Sequence, residues 1–182
     1  MSGKYSFHLE GASQRHILPP KVTVGQRENE SNAHVMLKLF GYLMFHRPRL
    51  HIEAKLHNDN IPFEPDLVEL NYEMQPVLWI ECGDCGITKL NKLAVKVPDA
   101  EIWVLKRSSS EARNLLDAMH RADLRRGRYH LAALDSAMFE EACGLLKNRN
   151  QVYWLGSDFE PPYLQFDLNG LWFEGGFEVF HF

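Results

Sequence analysis

The sequence predicts an α/β protein with a mixed sheet flanked by helices and an antiparallel β-meander at its C-terminal end. Between residues 77 and 146, apolar strands alternate with amphipathic helices, which is the pattern of parallel strand pairing. After residue 164, short apolar runs are separated by Asn-Gly and Gly-Gly, which is typical of antiparallel hairpins. The length of 182 residues fits one domain, residues 1–182, better than two.

The N-terminal part is predicted to contain two extended segments and one helix. Residues 5–10 and 17–24 form the extended pair. Apolar residues recur at helical spacing over residues 29–46, with Asn29 as the N-cap. Residues 58–65 are rich in Asn, Asp and Pro, so we expect a loop before the strand 66–70.

The remaining elements follow from apolar runs and capping residues. Buried strands are expected at residues 77–82, 101–105 and 129–134, because nearly all their side chains are apolar. Helices are expected at 88–96, 109–124 and 136–146, with Thr88 and Asp135 as N-caps. The tail is expected to add strands at 164–168, 171–173 and 177–180 on the same core.

Charge and composition exclude several classes of protein. A net charge of −4 argues against a surface that is basic throughout, so any contact with nucleic acid would be local. The apolar runs are far shorter than the roughly 20 residues that a membrane helix needs. Three cysteines and a start without a secretory signal predict a cytoplasmic protein with reduced thiols.

Two acidic residues stand at the ends of predicted strands. Asp66 follows Pro65 and opens one strand, whereas Glu81 closes the buried strand 77–82. Carboxylates that meet at adjacent strand ends could hold Mg²⁺ or Mn²⁺, which prefer oxygen ligands. The alternative is that Asp66 lies in an ordinary turn and Glu81 is a solvated strand-end residue.

Several short motifs occur in an order that resembles the YaeQ family. They are Glu30-Ser31, Glu64-Pro65-Asp66-Leu67, Trp79-Ile80-Glu81-Cys82-Gly83, Lys89-Leu90-x-Lys92 and Asn169-Gly170-Leu171-Trp172. The resemblance implies a restriction-endonuclease-like fold of the PD-(D/E)XK superfamily, in which an acidic pair binds metal and a lysine assists the attacking water. It implies that Asp66 and Glu81 bind Mg²⁺ or Mn²⁺ and that Glu30 adds a further carboxylate.

One position departs from the nuclease pattern. The residue two after Glu81 is Gly83, where the motif has lysine, and a glycine brings no charge. On a strand this position would face the same side as Glu81. A replacement lysine would come from the following helix, and both Lys89 and Lys92 are candidates. Simple loss of the lysine would instead leave a metal site or a fold without catalysis.

Two other features have both a functional and a structural interpretation. Cys82 and Cys85 form a CxxC at a strand-to-helix turn, which is either a redox pair, half of a zinc site, or two small buried residues. His34 lies one helical turn after Glu30 and could border the acidic site, although a lone histidine is more often structural.

The densest positive stretch lies near the predicted helix 109–124. It comprises Lys106, Arg107, Arg121, Arg125, Arg126 and Arg128. These residues could contact phosphates with the help of Tyr129. The alternative is that they complement the dipole at a helix C-terminus and stay solvated.

Two functions are therefore expected from the sequence. The first is a metal-dependent nuclease, active or degraded, that acts on DNA or RNA. The second is a non-catalytic module that keeps the nuclease-like fold and binds nucleic acid or a protein partner through the basic stretch. A thiol redox function rests on Cys82 and Cys85 alone.

Overall fold

A computed structural model describes residues 3–12 and 17–182, which form ten strands and four helices. In chain order these are β1 Gly3–Gly11, β2 Lys21–Gln26, α1 Asn32–Met44, β3 Leu50–Ile52, β4 Leu67–Leu70, β5 Pro76–Cys82, α2 Ile87–Lys96, β6 Glu101–Lys106, α3 Ser109–Arg121, β7 Tyr129–Leu134, α4 Ser136–Gly144, β8 Arg149–Phe159, β9 Pro162–Leu168 and β10 Leu171–His181. No helix in these described ranges is long and apolar enough to cross a membrane.

The ten strands form one mixed sheet in the order β2-β1-β8-β9-β10-β7-β6-β5-β4-β3. The predicted parallel pairing of β5, β6 and β7 is confirmed, with α2 and α3 as the crossover connections. The adjacency of β4 and β5 is also confirmed, and this pair is antiparallel. The C-terminal strands β9 and β10 pair antiparallel across the predicted Asn169-Gly170 turn, and β8 pairs antiparallel with β9 in the same sheet.

The sheet bends around α1, whose ten residues from 35 to 44 are all buried. The two edge strands, β2 and β3, nearly meet. The backbone N–H of Gly25 in β2 donates to Oε2 of Glu53, the residue after β3, at 3.2 Å. A Cβ at position 25 would lie only 2.7 Å from that oxygen, so a side chain there would displace the Glu53 carboxylate. The helix is therefore the centre around which the sheet almost closes.

Two apolar cores cover the two faces of the sheet. One lies between the sheet, α1 and α4, and the other lies between the opposite face, α2 and α3. Strand β5 divides between them: Leu78 and Ile80 belong to the first core, whereas Trp79 belongs to the second. Alternation along the strand places Glu81 on the side of Trp79.

The structure corrects two of the three predicted N-caps. Ser31, not Asn29, caps α1, and its hydroxyl accepts a hydrogen bond from the backbone N–H of His34 at 3.3 Å. Helix α2 starts at Ile87 after Gly86, so Thr88 lies inside the helix. Asp135 caps α4 as predicted, since its carboxylate accepts from the backbone N–H of Met138.

The strands differ from the prediction in four places. Strands β3 and β8 were not predicted, and the second extended segment begins only at Lys21, after Pro19 and Pro20. Residues 171–181 form one strand instead of two. Strand β10 pairs with β9 as far as Gly176 and with β7 from Phe177, so the Gly-Gly pair marks the point at which the strand changes neighbours.

Candidate functional site

Asp66 and Glu81 lie at the same end of the β4–β5 pair. Leu67 pairs with Ile80, and one step further along the antiparallel register Asp66 stands opposite Glu81. Both side chains are buried, with 7% of Asp66 and 4% of Glu81 exposed. Glu81 is therefore not the solvated strand-end residue of the alternative interpretation, and both carboxylates need partners inside the protein.

The start of α1 brings two more polar groups to Asp66. His34 Nε2 lies 3.0 Å from Asp66 Oδ1 and 3.5 Å from Glu30 Oε1. Glu30 precedes the N-cap Ser31 and His34 lies in the first turn of α1, so both side chains stand at the start of the helix. Within the described part of the chain, the ligand atoms of Glu30, His34 and Asp66 all lie within 4.8 Å of one another.

The environment of Asp66 favours its ionised form. Burial by itself would raise the pKa of this carboxyl group, but the hydrogen bond and charge of His34, the backbone N–H of Cys82 and the charge of Lys38 together outweigh it. The backbone N–H of Cys82 also donates to Asp66 Oδ2 at 2.8 Å. The net result is a pKa below the usual value, so Asp66 carries its negative charge at neutral pH.

Glu81 has a different set of partners and the opposite shift. Trp79 Nε1 donates to Glu81 Oε1 at 2.7 Å, and Lys89 Nζ lies 2.7 Å from Oε2. Burial raises the pKa of Glu81, the charge of Lys89 opposes that rise, and the charge of Asp66 adds to it. Two neighbouring carboxylates whose pKa values are pushed apart are suited to different chemical roles.

The sequence predicted Lys89 and Lys92 as alternatives, and the structure distinguishes their positions. Lys89 forms an ion pair with Glu81 while 28% of its side chain remains exposed, whereas Lys92 is on the exposed side of α2. Gly83 has φ +73°, and a Cβ on it would lie 3.5 Å from His34 Nδ1, on the α1 side. The strand alternation expected at position 83 therefore ends before that residue.

Lys38 is the polar residue that sequence reasoning missed. Its side chain has no exposed surface, and its Nζ lies 2.6 Å from both Glu30 Oε2 and Glu53 Oε1. A lysine inside an otherwise apolar helix is a sequence signal for a buried charge that needs a partner. Glu53 offered no comparable signal, since it follows a three-residue strand and adopts φ +53°.

The cysteines lack the environment of reactive thiols. Burial raises the pKa of Cys85 to about 12, with the charge of Glu81 acting in the same direction. Cys82 is fully buried, and its pKa is raised well above the usual value for the same reason. A nucleophilic thiol needs a lowered pKa, so the geometry does not favour a thiol redox function.

The basic stretch does not form one continuous patch. Lys106 and Arg107 stand at the N-terminal end of α3, whereas Arg121 ends that helix, about 20 Å away for 13 residues. Lys106 is buried and donates to the Gly83 carbonyl at 2.7 Å. Arg128 donates to the Val97 carbonyl at 3.0 Å.

The fold and the site together define a mixed α/β protein with a carboxylate and histidine cluster at the start of its central helix. Residues 4–155 match the sequence profile described as YaeQ protein, and the chain belongs to this family. The resemblance to the YaeQ family is thereby confirmed.

Two solved structures share this fold. The YaeQ protein from Xanthomonas axonopodis pv. citri is 18% identical, with a TM-score of 0.70 over 99% of this chain and 97% of that one. The YaeQ protein from Pseudomonas syringae is 15% identical, with a TM-score of 0.71 over 98% of this chain and 94% of that one. No curated protein matches the sequence.

The opposite pKa shifts of Asp66 and Glu81 predict different effects of neutral variants on stability. The ionised form of Asp66 stabilises the fold, so Asp66→Asn should lower the free energy of unfolding at pH 7 by roughly 1–3 kcal/mol. Ionisation of Glu81 is disfavoured in the folded state, so Glu81→Gln should equal or exceed the parent at pH 7. Urea unfolding of the three proteins measures both effects.

The pH dependence provides the control for these two variants. The stabilisation by Asp66 is present above its unfolded pKa of about 3.9 and is lost as the pH falls through the lower folded value. The parent's advantage over Asp66→Asn should therefore shrink below about pH 4. As the pH falls, the free energy of unfolding of the parent should rise relative to that of Glu81→Gln, because the folded state favours protonated Glu81. Equal losses in both variants at pH 7 would contradict the assigned environments.

The buried position of Lys38 predicts a large effect of its removal. Lys38→Met leaves Glu30 and Glu53 without their cation and should cost about 3–5 kcal/mol at pH 7. Adding Glu30→Gln and Glu53→Gln to Lys38→Met should recover much of the loss, because no buried charge then remains unpaired. Lys92→Met, at an exposed position, is the matched control. A loss in Lys38→Met no greater than in this control would show that Lys38 is solvated in solution.

Proposed function

We propose that this chain is a metal-dependent nuclease of the PD-(D/E)XK type that hydrolyses phosphodiester bonds of DNA or RNA. In this proposal, the segment from α1 to β6 is the restriction-endonuclease-like core. The observation that supports it most is the placement of buried Asp66 and Glu81 at adjacent strand ends, with Glu30 and a lysine beside them. Lys89 takes the place of the lysine that is absent at position 83.

The donor groups fit a divalent cation that prefers oxygen ligands. Glu30 Oε1 and Asp66 Oδ1 both face His34 Nε2, so two carboxylate oxygens and one imidazole nitrogen converge. Carboxylates suit Mg²⁺ and Mn²⁺, whereas an imidazole suits transition metals better than Mg²⁺. The ligand set of Glu30, His34 and Asp66 therefore favours Mn²⁺ over Mg²⁺. Glu81 lies beside this set, at the end of the strand next to Asp66.

Each residue has a role that its environment supports. When bound, Mg²⁺ or Mn²⁺ would lower the pKa of a coordinated water and polarise the phosphodiester. Asp66 stays ionised, and Lys38 holds Glu30 in position. Glu81 has a raised pKa, which suits a group that accepts a proton from the attacking water.

Lys89 and the surface beside His34 supply the contacts to substrate. The ammonium group of Lys89 remains partly exposed and can stabilise charge that develops on the phosphate. A shallow recess of about 90 Å³ opens beside His34, with Ser31, Gly83 and Arg107 in its lining. Of the residues in the cluster, His34 is the one in the lining of this recess.

A cleavage assay with Mn²⁺ and with Mg²⁺ on DNA and RNA tests the proposal. Activity should be greater with Mn²⁺ and should vanish in both carboxylate variants. Asp66→Asn deletes the charge of a metal ligand, and Glu81→Gln deletes the group that accepts the proton, while each change keeps the shape of the side chain. Lys89→Ala should lower kcat by roughly 100-fold with little change in metal affinity, whereas Lys92→Ala should leave kcat unchanged.

The variants also control for a contaminating nuclease. If the carboxylate variants, purified in parallel, cut as fast as the parent, the activity belongs to another protein. If the parent is inert on both nucleic acids with both metals, the nuclease proposal fails and a binding module on the same fold replaces it. Circular dichroism of each variant ensures that a loss of activity is not a loss of fold.

A further inference from the structure

A pair of histidines lies at the other end of the central helix. His130 in β7 is the direct partner of His181 in β10. The neighbouring pair, Tyr129 and Phe182, is hydrogen-bonded through the backbone, since Phe182 N donates to the Tyr129 carbonyl at 2.9 Å. The histidines therefore occupy the closer, non-hydrogen-bonded type of position. Their Nδ1 atoms are 2.7 Å apart.

An aromatic group holds the first of these imidazoles in place. The ring of Trp103 lies against that of His130, with centroids 4.9 Å apart, and Trp103 is itself packed against Phe45 and Phe159. His181 is exposed, so solvent and ions reach the pair from that side. The pair thus combines an imidazole of restricted orientation with one that can adjust.

Burial and charge at this position favour the neutral form of the His130 imidazole at physiological pH. Burial lowers the pKa of His130, and the charge of His181 lowers it further. The carboxylate of Glu101 acts in the opposite direction, and Arg128 acts in the same direction as His181. A neutral imidazole has a free nitrogen lone pair, which is the form that ligates metals.

The histidine pair is separate from the cluster around Asp66. Trp103 contacts Phe45, which follows the last residue of α1, whereas Glu30 and His34 lie at its start. The helix has 13 residues and is about 20 Å long. The pair therefore does not depend on the proposed nuclease function.

We propose that His130 and His181 form a binding site for Zn²⁺ or a related borderline transition-metal ion. Two nitrogen ligands at about 2.0–2.1 Å from tetrahedral Zn²⁺ lie about 3.3 Å apart. The pair therefore needs to open by only about 0.6 Å from its 2.7 Å separation. Water completes the coordination, and Glu101 is the carboxylate whose charge already acts on His130. Hard cations such as Mg²⁺ are not expected here.

Titration calorimetry with Zn²⁺ at pH 7.5 tests the site on the full chain. Asp66→Asn removes one carboxylate of the acidic cluster and weakens metal binding there, so it serves as the background in which the histidine pair is measured. In that background, His181→Gln and His130→Gln should each weaken Zn²⁺ binding by at least roughly tenfold, since even loss of an outer partner costs about 10- to 100-fold. His8→Gln, at an exposed position in β1, is the matched control and should bind as the background does.

The outcomes separate this site from the proposed nuclease. Retention of Zn²⁺ binding in Asp66→Asn, together with its loss in His181→Gln, supports the histidine site whether or not the chain cleaves nucleic acid. His181 is exposed, so its variant should fold normally. Unchanged Zn²⁺ binding in both histidine variants, or no binding in the Asp66→Asn background, would show that the pair only shares a proton.

Discussion

The ammonium group of Lys38 lies in the interior of the protein, and the carboxylates of Glu30 and Glu53 balance its charge there. A buried ammonium without partners would be very costly, so these two acids must approach it. Glu30 precedes α1, whereas Glu53 follows β3 and also accepts from Gly25 in β2. One charge thereby links the central helix to both edges of the sheet.

The position of Glu30 determines much of the candidate site. Lys38 holds one oxygen of Glu30, and the other oxygen faces His34, which in turn contacts Asp66. The chain of contacts continues to the backbone of Cys82 at the end of β5. If the cluster only held α1 in place, neighbouring Asp66 and Glu81 would not need opposite pKa shifts. The pKa of Glu81 is raised, whereas that of Asp66 is lowered. That contrast is what favours a chemical role.

Signals that are local in the sequence predicted the core of the fold correctly. The apolar run of β5 and the Pro-Asp sequence before β4 placed both carboxylates at adjacent strand ends. The helical spacing of Glu30 and His34 also predicted that His34 could border the acidic site. Features that depend on tertiary contacts were missed. Asn29 and Ser31 are both good N-caps, so the local sequence does not distinguish them. Ser31 caps α1 in the structure, where the side chain of Glu30 contacts Lys38.

Anomalous X-ray scattering from a crystal soaked in Mn²⁺ tests the central claim most directly. A cluster held by Lys38 for metal binding should show one strong peak about 2.0–2.6 Å from carboxylate oxygens of both Asp66 and Glu30. His34 Nε2 should then point at the peak instead of donating to Asp66. Absence of a peak between these residues at saturating Mn²⁺ would contradict the claim and leave the cluster as an anchor for α1.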